Sequence, residues 1–484
     1  MQPASSPGPA PVDPRVQLGR IRFRRAVALM LMTLAVPGSA QLVAGRRETG
    51  RLAMRVWMSL IGTGLLLFLI GLVFDSFVFW FLSNTVVLGL VRLVLMAVAI
   101  GWAFLFIDAW RLGNPLALRQ KQRLAMVGIN GVLCFSVAGT LLFGAHVVNV
   151  QKDLLAAMFG DGPVAGAAHG RFNILLLGGD SGADRWGLRP DSITVASIDA
   201  TTGKTVLFGL PRNMRNFPFA EGSIMAEQFP DGYDCGTECE LNSLATWAAD
   251  HKPLFKGVQN PGVEATTEAV EGITGLEISY YAMVNLAGFT KMVDAVGGVR
   301  LNVRDRIPIG GVGGPVTGYI EPGVRKLNGF QTLWFARSRE SADDYSRMAR
   351  QKCVMNAMLH QLSPRKVVLN FEQIADAGKS LVTTDIPGSE IDRFMELALK
   401  ARSFPLTTVS FVPPMVNTGH PDIDKIHTTV EKAIAKAEGQ KPAPTTGKAH
   451  RRAAPAAGGT TGGAIGSLSD GYAANQADDL GAVC

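Results

Sequence analysis

Phe172-Asn-Ile-Leu-Leu-Leu-Gly-Gly-Asp-Ser181 is a continuous apolar run, too short for a helix, that ends on two glycines and a carboxylate. Such a run predicts a strand covered on both faces, the kind found in the middle of a sheet flanked by helices. Two further β-rich runs follow at Ser192 to Ile198 and Thr205 to Leu210. Helical periodicity then appears over Val263 to Thr274, Leu286 to Ala295 and Ala342 to Gln361. Gly297-Gly298 stops the second of these before a strand at Val299 to Val303, and Leu333 to Ala336 reads as one more strand. Alternation of this kind predicts an α/β domain, an α-β-α sandwich over residues 172–439.

Upstream, the composition changes. The chain is 47% hydrophobic, and the excess is concentrated in its first third. Val56 to Phe74, Val86 to Ile107 and Leu124 to Val148 each have the length and apolarity of a bilayer span. A fourth stretch, Ala26 to Ala44, contains Pro37, Gly38, Ser39 and Gln41 and has arginines on both sides: Arg15, Arg20, Arg22, Arg24 and Arg25 before it, Arg46, Arg47, Arg51 and Arg55 after it. Because basic loops stay on the cytoplasmic side, this stretch reads as re-entrant or interfacial, and three spans then put everything after Val150 outside the cell. If it crosses, the count is four and the C-terminal domain is cytoplasmic. The expected order is a proline-rich cytoplasmic tail (1–14), a membrane region (15–150), a linker (151–171), a globular domain (172–439) and an Ala/Gly/Thr-rich disordered tail (440–484).

Composition also narrows the function. The net charge of +7 comes largely from basic residues beside the spans, which are topology determinants and lipid contacts, so no nucleic-acid partner is expected. The spans carry few ionisable groups that could line a transport path. No histidine has metal-ligand spacing. Cys235 and Cys239, in Asp-Cys-Gly-Thr-Glu-Cys-Glu, lack the companions of a zinc site and read as a local disulfide, the alternative being two free thiols. Cys353 reads as a buried thiol on a core-facing helix, and Cys484 has no assignment.

The groups that carry chemistry lie at strand ends. Asp180 follows the first strand and Arg189-Pro190-Asp191 opens the second, so two carboxylates at one sheet edge can share a divalent cation, or merely cap turns. Leu210-Pro211-Arg212-Asn213 closes the third. Arg337 and Arg339, two apart on an expected extended segment, point to one face. Asp344, Arg347 and Gln351 share a helix face at spacings of three and four. Aimed together, these guanidiniums suit phosphate oxygens; taken singly, they are a solvated helix with local ion pairs. Cys353, Val354, Met355 and Met358 are expected to anchor that helix in the core.

Taken in order, the Gly-Gly-Asp180 turn, Arg189-Pro-Asp191, Leu-Pro-Arg212-Asn, Val293-Asp-Ala-Val-Gly-Gly-Val299, and Ala336-Arg-Ser-Arg339 through Asp344-Tyr-Ser-Arg347-Met-Ala-Arg-Gln351 resemble the signature blocks of LytR-CpsA-Psr proteins, in their actinobacterial form. The resemblance implies a membrane-anchored, extracellular phosphotransferase that moves a glycopolymer, arabinogalactan or teichoic-acid-like, from a polyprenyl-pyrophosphate carrier to peptidoglycan. It implies Mg2+ or Mn2+ at Asp180 and Asp191, pyrophosphate contacts from Arg189, Arg212, Arg337, Arg339, Arg347 and Gln351, and catalytic roles for Arg212, Arg337, Arg339, Asp344 and Arg347. Pro190 and Asn213 depart from the usual Ser and Asp of the family. A polyprenyl-pyrophosphate hydrolase and a non-enzymatic lipid-binding or regulatory protein are the competing readings.

Overall fold

The computed structural model describes residues 14–73, 77, 80–81, 84–158, 164–179, 189–311, 314–340, 343–361, 382–439 and 473–484. The chain divides into two compact units, Met1–Asp153 and Leu154–Cys484.

The first unit is helical: α1 (Pro14–Ala35), α2 (Ser39–Val43), α3 (Arg47–Val73), α4 (Thr85–Leu112) and α5 (Gln120–Met158). Three helical segments, Arg47–Val73, Thr85–Ala117 and Gln120–Asp153, are long and apolar enough to cross a membrane. The stretch from Ala26 to Ala44 is not one continuous helix. It breaks between α1 and α2, where Pro37 has no amide hydrogen to give and Gly38 takes φ +91°. The broken segment is held through polar groups: Gln41 Nε2 donates to the Leu105 carbonyl at 3.0 Å, Trp102 Nε1 to the Thr33 carbonyl at 3.0 Å, and Arg46 pairs with the buried Asp108.

The second unit is built on a seven-stranded mixed sheet in the order β11-β10-β3-β2-β1-β4-β9. Its strands are β1 (Arg171–Gly179), β2 (Pro190–Asp199), β3 (Thr205–Leu210), β4 (Tyr280–Asn285), β9 (Val382–Thr384), β10 (Thr407–Ser410) and β11 (Gln476–Ala477). β1 to β3 form an antiparallel meander, while β4 and β10 join its two sides in parallel. β1 is central and almost wholly buried, as its unbroken Ile-Leu-Leu-Leu run predicts.

Short α6 (Ile224–Gln228) and α7 (Leu244–Asp250), with the longer α8 (Pro261–Thr274), cover one face of the sheet together with α13 (Ile423–Glu438), so Leu175, Leu177, Val195 and Phe208 meet Val263, Val270, Ile426 and Val430. On the other face, α12 (Ile391–Ala401) packs Leu397 against Phe172 and Tyr280. A second core lies under two hairpin sheets, β5 (Val299–Val303) with β8 (Gly323–Leu327) and β6 (Ile307–Gly310) with β7 (Val316–Ile320), and involves α9 (Leu286–Ala295) and α10 (Gly329–Arg337). α11 (Asp344–Gln361) packs both on the sheet face opposite α8 and α13 and on this second core. Ala349 and Cys353 face the sheet, Val354 and Ala357 the hairpins, so the helix cannot rotate without losing one set of contacts.

Two expectations are corrected here. Leu333 to Ala336 is the middle of α10, not a strand. Asn328 and Gln331 form a reciprocal capping box, with Gln331 N donating to Asn328 Oδ1 at 2.8 Å and Asn328 N to Gln331 Oε1 at 3.2 Å, and that start signal outweighs the β-rich local composition. Gly329 lets the helix begin tight against α9, since a Cβ there would lie 2.0 Å from the Thr290 carbonyl oxygen.

The tail expected to be disordered over 440–484 is ordered over residues 473–484. β11 adds to β10, a last short helix α14 (Leu480–Val483) packs Leu480 into the core, and Cys484 is disulfide-bonded to Cys353, which is therefore not a free thiol. Asn475 explains the docking chemically. Its Oδ1 accepts from the buried Lys352 Nζ at 3.2 Å and from Ser410 Oγ at 3.0 Å, and its Nδ2 donates to the Tyr345 carbonyl at 2.8 Å. Without it a buried lysine, pushed down to about 7 by its burial, keeps Ser410 as a partner only. Cys484→Ser is expected to destabilise the unit by about 2–5 kcal/mol, through loss of a long closed loop. Denaturant unfolding of wild type and variant, with and without reductant, checks it: reductant should remove most of the difference. The second disulfide, Cys235–Cys239, joins the two cysteines expected to pair.

Candidate functional site

The carboxyl ends of β1, β3 and β4 and the start of β2 lie at one edge of the sheet, and they open into a cavity of about 870 Å³. Gly178 and Gly179 end β1 there, Asp191 and Ser192 begin β2, Arg212 follows β3, and Asn285 ends β4. α10 brings Trp334, Ala336 and Arg337 from its last turn, with Ser338 and Arg339 just beyond. α11 brings Arg347 and Gln351. Of the residues expected at the site, Arg189, Asp191, Arg212, Arg337, Arg339, Arg347 and Gln351 line this one cavity. Asp344 stands outside the lining, and Asp180 lies outside the described residues.

Asp344 is the hub behind the arginines. Its Oδ2 accepts from Arg212 Nε at 2.8 Å and lies 3.6 Å from Arg347 Nη2, while its Oδ1 accepts from Arg339 Nη1 at 3.4 Å. Arg212 reaches on through Nη1 to Asp191 Oδ1 at 2.6 Å, and Arg347 Nη2 donates to the Asp191 carbonyl at 3.1 Å. One carboxylate thus fixes three guanidiniums, and a second fixes the far side of one of them. Burial works to raise the Asp344 carboxyl, but Arg347, Arg212 and Arg339 together hold it below the ordinary carboxylate range. Burial likewise lowers Arg347, against the pull of Asp344, and the neighbouring Arg212 and Arg339 lower it further. Arg212 is the exception: burial opposes its charge, yet the bonds to Asp344 and the pull of Asp191 raise it overall. Arg212 and Arg347 both stay cationic at neutral pH.

The arginines are held from below as well as from the side. Asp343 caps α11 by accepting from Ser346 N at 2.8 Å. Arg350, only 1% exposed and not among the expected site residues, donates through Nη1 to the Phe335 carbonyl at 2.7 Å and through Nη2 to the Ser338 carbonyl. Gln351 Nε2 donates to the Ala336 carbonyl at 3.3 Å. Those carbonyls are the unpaired end of α10, so one helix clamps the other where Arg337 and Arg339 emerge. Arg337 also stacks over Trp334, 5.1 Å from the ring centre. The extended geometry expected for Arg337 and Arg339 is replaced by a helix end and the turn after it, with the same result that both reach one cavity.

The rest of the lining was not legible as site. Leu286, Phe289, Leu333, Trp334, Val354, Met355 and Met358 make an apolar wall continuous with the charged mouth. Met355 and Met358, expected inside the core, sit at its edge and line the cavity; their spacing from Gln351, four and seven residues on, was the available signal. Glu240 and Asn242 also line it, from the segment after the Cys235–Cys239 disulfide.

The model of the LytR_cpsA_psr family matches residues 148–420 of this chain. Among similar proteins, Biofilm regulatory protein A of Streptococcus mutans is 26% identical over 271 residues, covering 54% of this chain and 62% of that protein. Cell wall biosynthesis protein LcpA of Corynebacterium glutamicum is 26% identical over 314 residues, covering 58% of each. The polyisoprenyl-teichoic acid–peptidoglycan teichoic acid transferase TagU of Oceanobacillus iheyensis is 28% identical over 228 residues, covering 46% of this chain and 59% of that protein. The chain thus spans about six tenths of the length of these relatives.

Proposed function

This chain belongs to the LytR-CpsA-Psr family, and from that premise we propose that it transfers a glycopolymer from a polyprenyl-pyrophosphate carrier to peptidoglycan, at the surface of the membrane that its N-terminal helices cross. The observation that carries the reading is the division of one cavity into a five-arginine mouth and an apolar wall. An amphiphile with a diphosphate head and a hydrocarbon tail matches both parts. The catalytic domain is proposed to lie outside the cell, where a Cys235–Cys239 disulfide would persist.

The chemistry required is phosphoryl transfer, which needs positioning and charge stabilisation more than covalent help from the protein. Arg212, Arg339 and Arg347, locked by Asp344, present fixed charge to the diphosphate oxygens. Arg337 and Arg189 complete the ring at the exposed rim. The acceptor hydroxyl oxygen bonds to the phosphorus next to the sugar, and polyprenyl phosphate leaves with the electron pair of the broken P–O bond.

Among the described residues no three His, Cys, Asp or Glu side chains cluster as metal ligands, so those residues alone would not cage a cation. Asp191 fits a shared site: its side chain is 41% exposed at the cavity although Oδ1 is engaged by Arg212. A magnesium ion held there, with Asp180 on the sequence argument, would take its other oxygens from the diphosphate and offset part of that charge.

The test is release of polyprenyl phosphate from a polyprenyl-pyrophosphate-linked glycan by the full chain in lipid vesicles, with and without peptidoglycan. The expected result is peptidoglycan-dependent release that falls about 10²–10³-fold in Arg337→Ala. Release that ignores peptidoglycan makes the protein a hydrolase. Lipid binding without release, or an unaffected Arg337→Ala, overturns the transfer reading.

A further inference from the structure

Asp344 spends both oxygens on three arginines, and Asp191 gives Oδ1 to Arg212 and its exposed remainder to the cation proposed above, so a further carboxylate is wanted for the proton. Glu240 differs. It lines the same cavity, and among the described residues its carboxylate enters no hydrogen bond or ion pair. Two residues on, Asn242 is 2% exposed, lines the cavity too, and its Oδ1 is a buried acceptor with no partner. A buried amide oxygen left unpaired is costly, which makes it a signature of a ligand donor that belongs there.

The segment carrying both is rigid. Leu241 N donates to the Met214 carbonyl at 2.9 Å and Asn242 N to the Arg212 carbonyl at 3.0 Å, which ties it to the backbone of the central phosphate-site arginine. The Glu240 carbonyl accepts from Ser243 N at 2.8 Å and from Ser243 Oγ at 2.7 Å, and Ser243 Oγ in turn meets the Tyr233 hydroxyl at 3.1 Å. The Cys235–Cys239 disulfide ends one residue before Glu240.

We infer that Glu240 and Asn242 form the acceptor-sugar subsite, in which Asn242 Oδ1 accepts a hydrogen bond from the sugar and Glu240 takes the proton of the attacking hydroxyl. The inference rests on the transfer reading above. As the new O–P bond forms and the P–O bond to the carrier breaks, the hydroxyl proton passes to a Glu240 oxygen and from there to solvent. A carboxylate suffices as base because bond formation to the incoming oxygen lags in a loose transition state, as with the aspartate of protein-kinase catalytic loops.

The full chain in vesicles, assayed for transfer to peptidoglycan across pH, tests this. Glu240→Gln is expected to lower kcat about 10²-fold or more, to lose the acid limb of the wild-type pH profile, and to bind the lipid diphosphate as wild type does. Asn242→Ala is expected to raise KM for peptidoglycan about tenfold with little change in kcat. Wild-type kcat and acid limb in a folded Glu240→Gln overturn the inference while leaving the transfer reading intact. A wild type that transfers nothing overturns both. If Glu240→Gln does not fold, Glu240→Asp replaces it: withdrawing the carboxylate by about 1 Å is expected to lower kcat at least tenfold with the acid limb kept, and unchanged kcat overturns the inference.

Discussion

Asp344→Asn is expected to destabilise the second unit by about 3–5 kcal/mol and to reduce transfer at least tenfold, although its side chain does not line the cavity. The argument is that Arg347, with a side chain only 4% exposed, loses its counter-charge, while Arg212 and Arg339 lose the acceptor that fixes their orientation. An asparagine of the same shape leaves a buried cation uncompensated and turns an amide N–H toward a guanidinium. Acid has the same effect on wild type only at low pH. Because the folded-state carboxyl lies below its ordinary value near 4, its contribution is complete above that value and is lost as pH falls through the lower, folded one. Wild type at pH 5 should therefore keep the melting temperature that Asp344→Asn has already lost at pH 7. A variant as stable as wild type, or a wild type that loses its stability in step with ordinary carboxylates, would show that Asp344 is not the hub.

Arg212→Ala is expected to lower kcat about 10²–10³-fold, the scale set by removing one preorganised donor from a charged transition state. Arg212→Lys should restore little of it. The guanidinium spans Asp344 through Nε and Asp191 through Nη1, and a single ammonium cannot hold both carboxylates in those places. Since Arg212 and Asp344 act as one unit, Arg212→Ala combined with Asp344→Asn should cost less than the product of the two single losses. Multiplicative losses would mean that the two residues act independently.

The fold was legible where the sequence speaks locally. The unbroken apolar run of β1, the Gly297-Gly298 stop and the helical spacing of Asp344, Arg347 and Gln351 each correspond to a structural element at the expected place. Seven of the nine expected phosphate, metal or catalytic residues reach one cavity because strand ends and one helix face are positions that periodicity fixes. The rest depended on distance in sequence. Glu240 and Asn242 come from a loop whose register with Arg212 is set by backbone bonds, and Arg350 matters because a different helix ends above it. Residues 473–484 were hidden by a low-complexity approach. Cys484 was the readable clue: once Cys235 and Cys239 are paired and Cys134 is set aside inside an apolar span, Cys353 is the remaining partner.

The mixed sheet also sets a schedule. β1, β2 and β3 are contiguous in the chain and can zip as soon as they are made, but the strand beside β1 arrives only with Tyr280–Asn285 and the one beside β3 only with Thr407–Ser410. A nascent chain therefore carries a greasy three-stranded ribbon that is open at both edges until Tyr280–Asn285 is made and stays open on the β3 side until Thr407–Ser410. Such edges recruit strands from other molecules, and parallel closure over long loops is slow. The β3 edge, unpaired from the time Leu210 emerges until Thr407–Ser410 arrives, is therefore where neighbouring incomplete chains would catch one another, whichever side of the membrane the domain folds on.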